Sequence, residues 1–322
     1  MGNYQATEQL KFPLKIRKNK HYGCIPDISD QRDIFTSFPK TIEYYHTMDL
    51  RKTGFLPDIQ DESEIKSSVS HAVLASYIFS LKKDGLYSSI YPNQEKLSAQ
   101  FIYYNQRVIS DTVECDSGSS IRDGIKVLER IGVCNEEFYP YDPQFFKDRP
   151  IDDAYTNAYK NKQIVQYRRV KPLLEDVMKC ISLKLPIVMG FTVYESFQHP
   201  DVARTGIMPA PKPGEKIVGH HAILVVGYDI ARKFVLCRNN RGPTWGQGGY
   251  FWVPFSFVNA RNCSDLWIIS TGSNTKPLAK LANKPADKPA DKPADKLVEK
   301  VPEFKDDDGS DNEHIEEDDT IV

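Results

Sequence analysis

Pro186 divides this chain into two kinds of sequence, and that division limits the folds open to it. Upstream, apolar residues recur at helical spacing. Ala72, Val73, Ser76, Tyr77 and Phe79 form a stripe behind Ser67 and Ser68, either of which can cap the helix. A second helix is predicted from about Ser98 to Val108. Ser119-Ser120-Ile121-Arg122-Asp123 opens a third with a serine cap and an early acid, ending at Gly132. Leu173 to Leu183 forms another, stopped by Pro186 itself. Downstream come β-rich runs bounded by turns: 187–193, 222–228, 233–238 and 249–253. Helices first and strands later predict an α+β protein, with a helical half facing a β half.

The two ends read differently. Residues 1–58 form a loop-rich lead-in with several prolines, a turn-like Gly23-Cys24-Ile25-Pro26-Asp27, and a course over the domain surface. The domain is placed at 59–272, its helical half at about 59–165 and its β half at about 166–260. In the segment 273–322, Lys-Pro-Ala-Asp recurs at 284–287, 288–291 and 292–295, followed by Asp306-Asp307-Asp308 and Glu316-Glu317-Asp318-Asp319. Proline at every fourth residue forbids a helix and nothing apolar is there to bury, so an extended, disordered tail is expected. From Lys276 onward eight lysines face fourteen acidic residues, about -6 of a net -2, which leaves the rest near +4. That balance is too mild to argue for nucleic acid, while the acidic end suits a basic partner.

Six cysteines in 322 residues, none in a Cys-x-x-Cys pair, do not make a disulfide framework or a metal site. They read as buried hydrophobes or half-exposed thiols of a reducing, intracellular compartment. The sequence has no apolar leader at its start and no run long enough to span a bilayer, and Ala6 breaks the acylation pattern that Gly2 would begin.

Three separated segments carry chemistry: Asp61 to Ala72 with Ser68, Gly219 to Asp229 with His221, and Arg238 to Gly246 with Asn239. Acyl transfer from an amide needs a nucleophile, a base, a group that orients the base, and donors for the oxyanion. These segments resemble the nucleophile, base and orienting segments of papain-like cysteine peptidases. Further likeness lies in Asp27 to Asp33, Leu97 to Asn105, Asp116 to Ile121, Gly132 to Asp142 and Gly246 to Phe251, covering roughly residues 24–270. The likeness is greatest to the propeptide-free branch found in microbes and large DNA viruses. It implies a papain-like fold with a helical half, a β-barrel-like half and the site in the cleft between them. It also implies no cleaved prosegment and no cofactor. Ser68 then stands at the nucleophile's position, His221 is the base directly before the Ala-Ile-Leu-Val strand, and Asn239 holds its ring. Gly118 and Ser119 resemble the wall that pairs with substrate backbone.

The departures from that pattern matter as much. Serine replaces the nucleophilic cysteine, and an alcohol is not ionised beside an imidazole as a thiol is. The oxyanion glutamine belongs six residues earlier, where Glu62 stands and would repel a developing oxyanion; Gln60 serves only if two residues are inserted. Arg241 replaces the tryptophan that shields the asparagine–histidine pair. His220, where the family has glycine, reads as a strand-edge residue; adjacent strand residues point to opposite faces, so His220 and His221 do not form a metal site. With one missing oxyanion donor costing about 10²–10³ in rate, the expectation is a peptidase homologue of reduced or absent activity that binds a polypeptide in its cleft. The alternatives are a weakly active peptidase using Ser68, and a structural assembly protein with a vestigial cleft.

Overall fold

The computed structural model describes residues 22–39, 42, 44–93 and 95–271, together with the backbone of 297–298. The repeat-bearing, acidic tail otherwise lies outside the described residues. The strands β1 (Tyr44–Tyr45) and β2 (Thr47–Asp49) precede the helices α1 (Ser68–Lys83), α2 (Tyr87–Ile90), α3 (Ala99–Ile109), α4 (Ile121–Arg130) and α5 (Asp152–Asn161). Then come β3 (Val165–Val170), α6 (Leu174–Ser182), β4 (Ile187–Tyr194), α7 (Pro200–Thr205), β5 (Ile217–Asp229), β6 (Phe234–Arg238), β7 (Tyr250–Pro254), β8 (Cys263–Thr271) and β9 (Leu297–Val298).

Serine starts two of the helices as expected. Ser98 Oγ accepts from Phe101 N at 3.0 Å, and Ser120 Oγ from Asp123 N at 3.1 Å, while the Asp123 carboxylate accepts from the Ser120 hydroxyl at 2.9 Å. In α4 the stripe Ile121, Ile125 and Leu128 turns inward and is fully buried. The helix α1 departs from the one-sided stripe: every residue from Ser68 to Leu81 is buried. A helix enclosed on all sides is a core element, and α1 is packed between the sheet strands β5 and β8 and the helices α3 and α4.

The main sheet has the order β3-β8-β4-β5-β6-β7, with β2 pairing β5, and every pairing is antiparallel. The long strand β5 is its spine and carries the Gly219–Ala222 segment. Its partner β4 is buried along its whole length. A two-stranded sheet pairs Tyr44 with Val298 and Tyr45 with Leu297. Among the described residues no helix is long and apolar enough to cross a membrane.

Candidate active site

Ser68 is the first residue of α1, where the helix dipole favours negative charge. It is fully buried. Its hydroxyl accepts from Ala222 N at 3.4 Å, and its carbonyl from Asn240 Nδ2 at 3.2 Å. Packing of α1 on β5 therefore brings the start of the helix beside His221-Ala222, although Ser68 and His221 are 153 positions apart in the chain. The preceding serine does not cap with its side chain; the Ser67 hydroxyl pairs with Tyr141 Oη at 2.6 Å.

The His221 ring is buried and held by Asn239, Nε2 to Oδ1 at 2.9 Å. The same Oδ1 accepts from Asn240 N at 2.9 Å, which fixes the amide with its oxygen toward the ring. Neutral His221 must then carry its proton on Nε2, leaving Nδ1 as the basic nitrogen. Two aromatic edges frame the imidazole, Phe191 and Tyr22, each with its centroid 5.7 Å away. His220, adjacent to His221 on β5, lies on the opposite face of the strand and is half-buried. No cluster of metal-ligating residues occurs among the described residues.

Residues 60–62 run antiparallel to 240–242: Glu62 N donates to Asn240 O at 2.8 Å and Gly242 N to Gln60 O at 3.1 Å. Glu62 is buried, its carbonyl accepting from Tyr141 Oη at 2.6 Å and its carboxylate from Asn240 Nδ2 at 3.4 Å. The carboxylate thus shares the Asn240 amide with the Ser68 carbonyl. The Gln60 amide oxygen instead accepts from His71 Nδ1 at 2.9 Å, one turn into α1, so Gln60 is committed away from the serine.

Gly118 and Ser119 form a wall held from behind. Gly118 N donates to Tyr103 Oη at 3.2 Å, Tyr103 donates to Asp116, and Asp116 accepts from Lys66 N at 2.9 Å. Across that wall lies the feature the sequence reading did not foresee. The sequence predicts a turn over Gly23 to Asp27; instead residues 22–25 are an extended strap that crosses the cleft. Ser119 N donates to Gly23 O and Ile25 N to Ser119 O, both at 2.9 Å, and Cys24 N donates to His220 O at 3.1 Å. The strap therefore bridges the helical half and the sheet directly over His221, with the Arg241 guanidinium 5.3 Å above the Tyr22 ring.

Downstream of the strap a charged clamp holds the lead-in. The Asp27 carboxylate accepts from Arg122 N, at the start of α4, at 3.1 Å and from Trp267 Nε1 at 2.8 Å; Asp27 N donates to Asp265 at 2.8 Å. Arg122 and Arg169 both bond Asp33, Arg169 also bonds Asp265, and both guanidinia lie over the Trp267 ring. A cavity of about 610 Å³ lies against this clamp, away from the cleft, and is lined by Arg32, Arg122, Lys126, Arg130 and Arg168 among others.

None of the buried cysteines suits nucleophilic chemistry. Burial pushes the Cys134 and Cys263 thiols up to about 12 and holds Cys180 and Cys237 well above the ordinary range. Cys24 lies in the cleft, yet its side chain turns toward Gly190 and Ser264, and burial, with the charges of Asp265 and Asp27, raises its thiol too.

The profile of the papain family cysteine protease matches residues 46–265. An uncharacterized peptidase C1-like protein of Acanthamoeba polyphaga mimivirus is 39% identical over 181 residues, covering 53% of this chain and 58% of that one. Cathepsin B-like CP3 of Giardia intestinalis is 28% identical over 155 residues, covering 43% and 49%. The chain thus spans about half the length of the curated relatives it matches. The crystal structure of xylellain, a cysteine protease from Xylella fastidiosa, superposes with a TM-score of 0.69 at 33% identity, covering 78% of this chain and 96% of that one. Procathepsin L2 from Tenebrio molitor shares the fold at 17% identity, with a TM-score of 0.58 over 78% of each chain. The helical layer, the antiparallel sheet and the Asn239-held histidine between them are therefore a papain-like fold, and the chain belongs to the papain family of cysteine proteases.

Proposed function

We propose that this chain is a papain-family homologue that holds an extended polypeptide in its cleft without hydrolysing it. The observation that carries this reading is the strap: residues 22–25 lie over His221 and pair with Ser119 and His220 as an extended ligand would. Three features of the site support it. Serine stands where the family's thiol belongs, and neutral Asn239 stabilises an imidazolium less than a buried carboxylate would. Glu62, an acceptor, is buried six residues before Ser68, where the resemblance puts the oxyanion donor. Ser68 is itself enclosed. In this reading the free thiols suit a reducing intracellular compartment and the acidic tail suits a basic partner.

A slow serine-type peptidase is the second reading, favoured by the 2.9 Å Asn239–His221 pair and by the Ala222 N contact with the Ser68 hydroxyl. Mass-resolved reaction of the purified protein with a fluorophosphonate separates the two. The non-hydrolytic reading expects no adduct on Ser68 and no cleavage of a peptide library. A stoichiometric Ser68 adduct that His221→Ala abolishes would establish the serine enzyme instead.

A further inference from the structure

The strap is a resident ligand, and its contacts spell out what the cleft accepts. We propose that the cleft reads an aromatic–glycine–small sequence in extended polypeptides, with Tyr22-Gly23-Cys24 as its built-in occupant. This rests on the peptide-holding reading above and names the ligand class.

The middle position is the most restrictive. A Cβ on Gly23 would stand 2.2 Å from Lys66 O and 2.4 Å from Lys66 Cβ, and one on Gly118 would stand 2.2 Å from Gly23 O. Two bare stretches of backbone face each other there, beneath the carbonyl of Lys66. The φ of Gly23 is not positive, so it is contact, and not the left-handed backbone that favours glycine, that excludes a side chain. The Lys66 carbonyl cannot swing away, because Asp116 fixes the Lys66 amide and α1 begins two residues later.

On one side of this constriction the Tyr22 ring meets His221 edge-on and lies under Arg241, while its hydroxyl accepts from Gln198 Nε2 at 3.2 Å. A Cβ at Gly219 would stand 2.9 Å from Tyr22 Cβ, so the ring's stem rests on bare backbone. A flat side chain with a polar tip meets all four neighbours. On the other side, Cys24 is 5% exposed, and its sulfur would stand 3.1 Å from a Cβ on Gly190. That enclosure has room for cysteine, alanine or serine and not for a leucine. The next residue, Ile25, is 44% exposed and goes unread.

The test uses the full chain with Gly23→Ala and a fluorescent peptide of residues 19–29. The variant is expected to release its own strap, seen as faster amide exchange at residues 22–25, and to bind the peptide at least tenfold more tightly than wild type does. Peptides with alanine for the glycine, or leucine for the cysteine, should bind at least tenfold more weakly. A strap-exchanged dimer on mixing wild-type and variant chains would support the same recognition. Equal binding of the alanine peptide, a Gly23→Ala strap that stays protected, or an emptied cleft that binds no peptide would overturn the proposal. Should Gly23→Ala not fold, Tyr22→Ala empties the cleft for the same measurements. Cleavage of a bound peptide would refute the non-hydrolytic reading and leave the recognition sequence standing.

Discussion

Replacing Asp27 by asparagine should loosen the strap while leaving the domain folded. The Asp27 carboxylate takes two hydrogen bonds, from Arg122 N at the start of α4 and from Trp267 Nε1 on β8. A hydrogen bond to a charged group contributes about 1.5–3 kcal/mol, and asparagine keeps one acceptor of the two. Relief of repulsion from Asp265, which shares this corner, offsets part of the loss. The balance is about 1–2 kcal/mol, or roughly a 5–30-fold rise in the open population. Cys24 reports that population, because its buried thiol becomes reactive only when the strap lifts. Exposed Cys115 gives the reference rate within the same molecule. Where closing is faster than labelling, the Cys24 rate follows the opening equilibrium. Mass-resolved alkylation should therefore show Cys24 accelerating 5–30-fold relative to Cys115, with Cys134, Cys180, Cys237 and Cys263 unchanged. An unchanged Cys24 ratio would refute the clamp. Acceleration of all five buried cysteines together would mean that Asp27 holds the whole fold rather than the strap.

Burial pushes the Lys83 ammonium down to about 8, so below that pH both folded and unfolded chains are protonated and the folded state bears the full cost of the charge. Measured against Lys83→Met, wild-type stability in urea should rise as pH climbs from about 8 toward the usual lysine value of 10.5; a flat difference would refute the burial argument. Arg107, fully buried, donates to the carbonyls of Tyr103, Val113, Cys115 and Phe146. Arg107→Met strands those acceptors and should cost about 3–5 kcal/mol in urea denaturation, since each unsatisfied buried group costs about 1–3 kcal/mol and some regain water; a loss under 1 kcal/mol would contradict this. Ser68→Cys should react with an epoxide thiol probe only slowly while the strap covers it, and at least fivefold faster when Asp27→Asn is added. Equal rates in the single and double variants would show that the strap does not guard position 68.

What was legible in the sequence was local or periodic. Ser98 and Ser120 announced their helices because a cap acts over three residues, and β4 to β7 announced themselves through short apolar runs between turns. His221 and Asn239 could be singled out because each lies near the start of a recognisable segment, and pairing of β5 with β6 brings the two side chains into contact. The burial of α1 on every face was hidden, because Ser70, His71, Ser76 and Ser80 look like a solvent side until packing encloses them. Gln60 could not be assigned from spacing alone, since its partner His71 lies on the helix that Gln60 precedes. The strap was the largest omission. Gly23-Cys24-Ile25-Pro26-Asp27 reads as a turn, and the partners that extend its first residues lie at Ser119 and His220, about a hundred and two hundred residues away. Only the unusual pairing of Gly23 with the Gly118 wall could have hinted at it.

The strap's position also sets the order in which the molecule can assemble. Its hydrogen bonds go to Ser119 in the helical half and to His220 on the sheet, and its clamp needs Arg122 from one and Trp267 from the other. The full set can be made only once the two halves have met, and contacts this distant in sequence carry the largest loop-closure cost. The first residues of the described chain are thus the last to find their place, and under load or denaturant they should be the first to leave it. A newly made molecule passes through a stage in which the halves have docked and the groove is still vacant. During that interval a passing polypeptide meets an open groove, but it competes against a tethered segment whose effective concentration is high, so it must be abundant or tightly held to win.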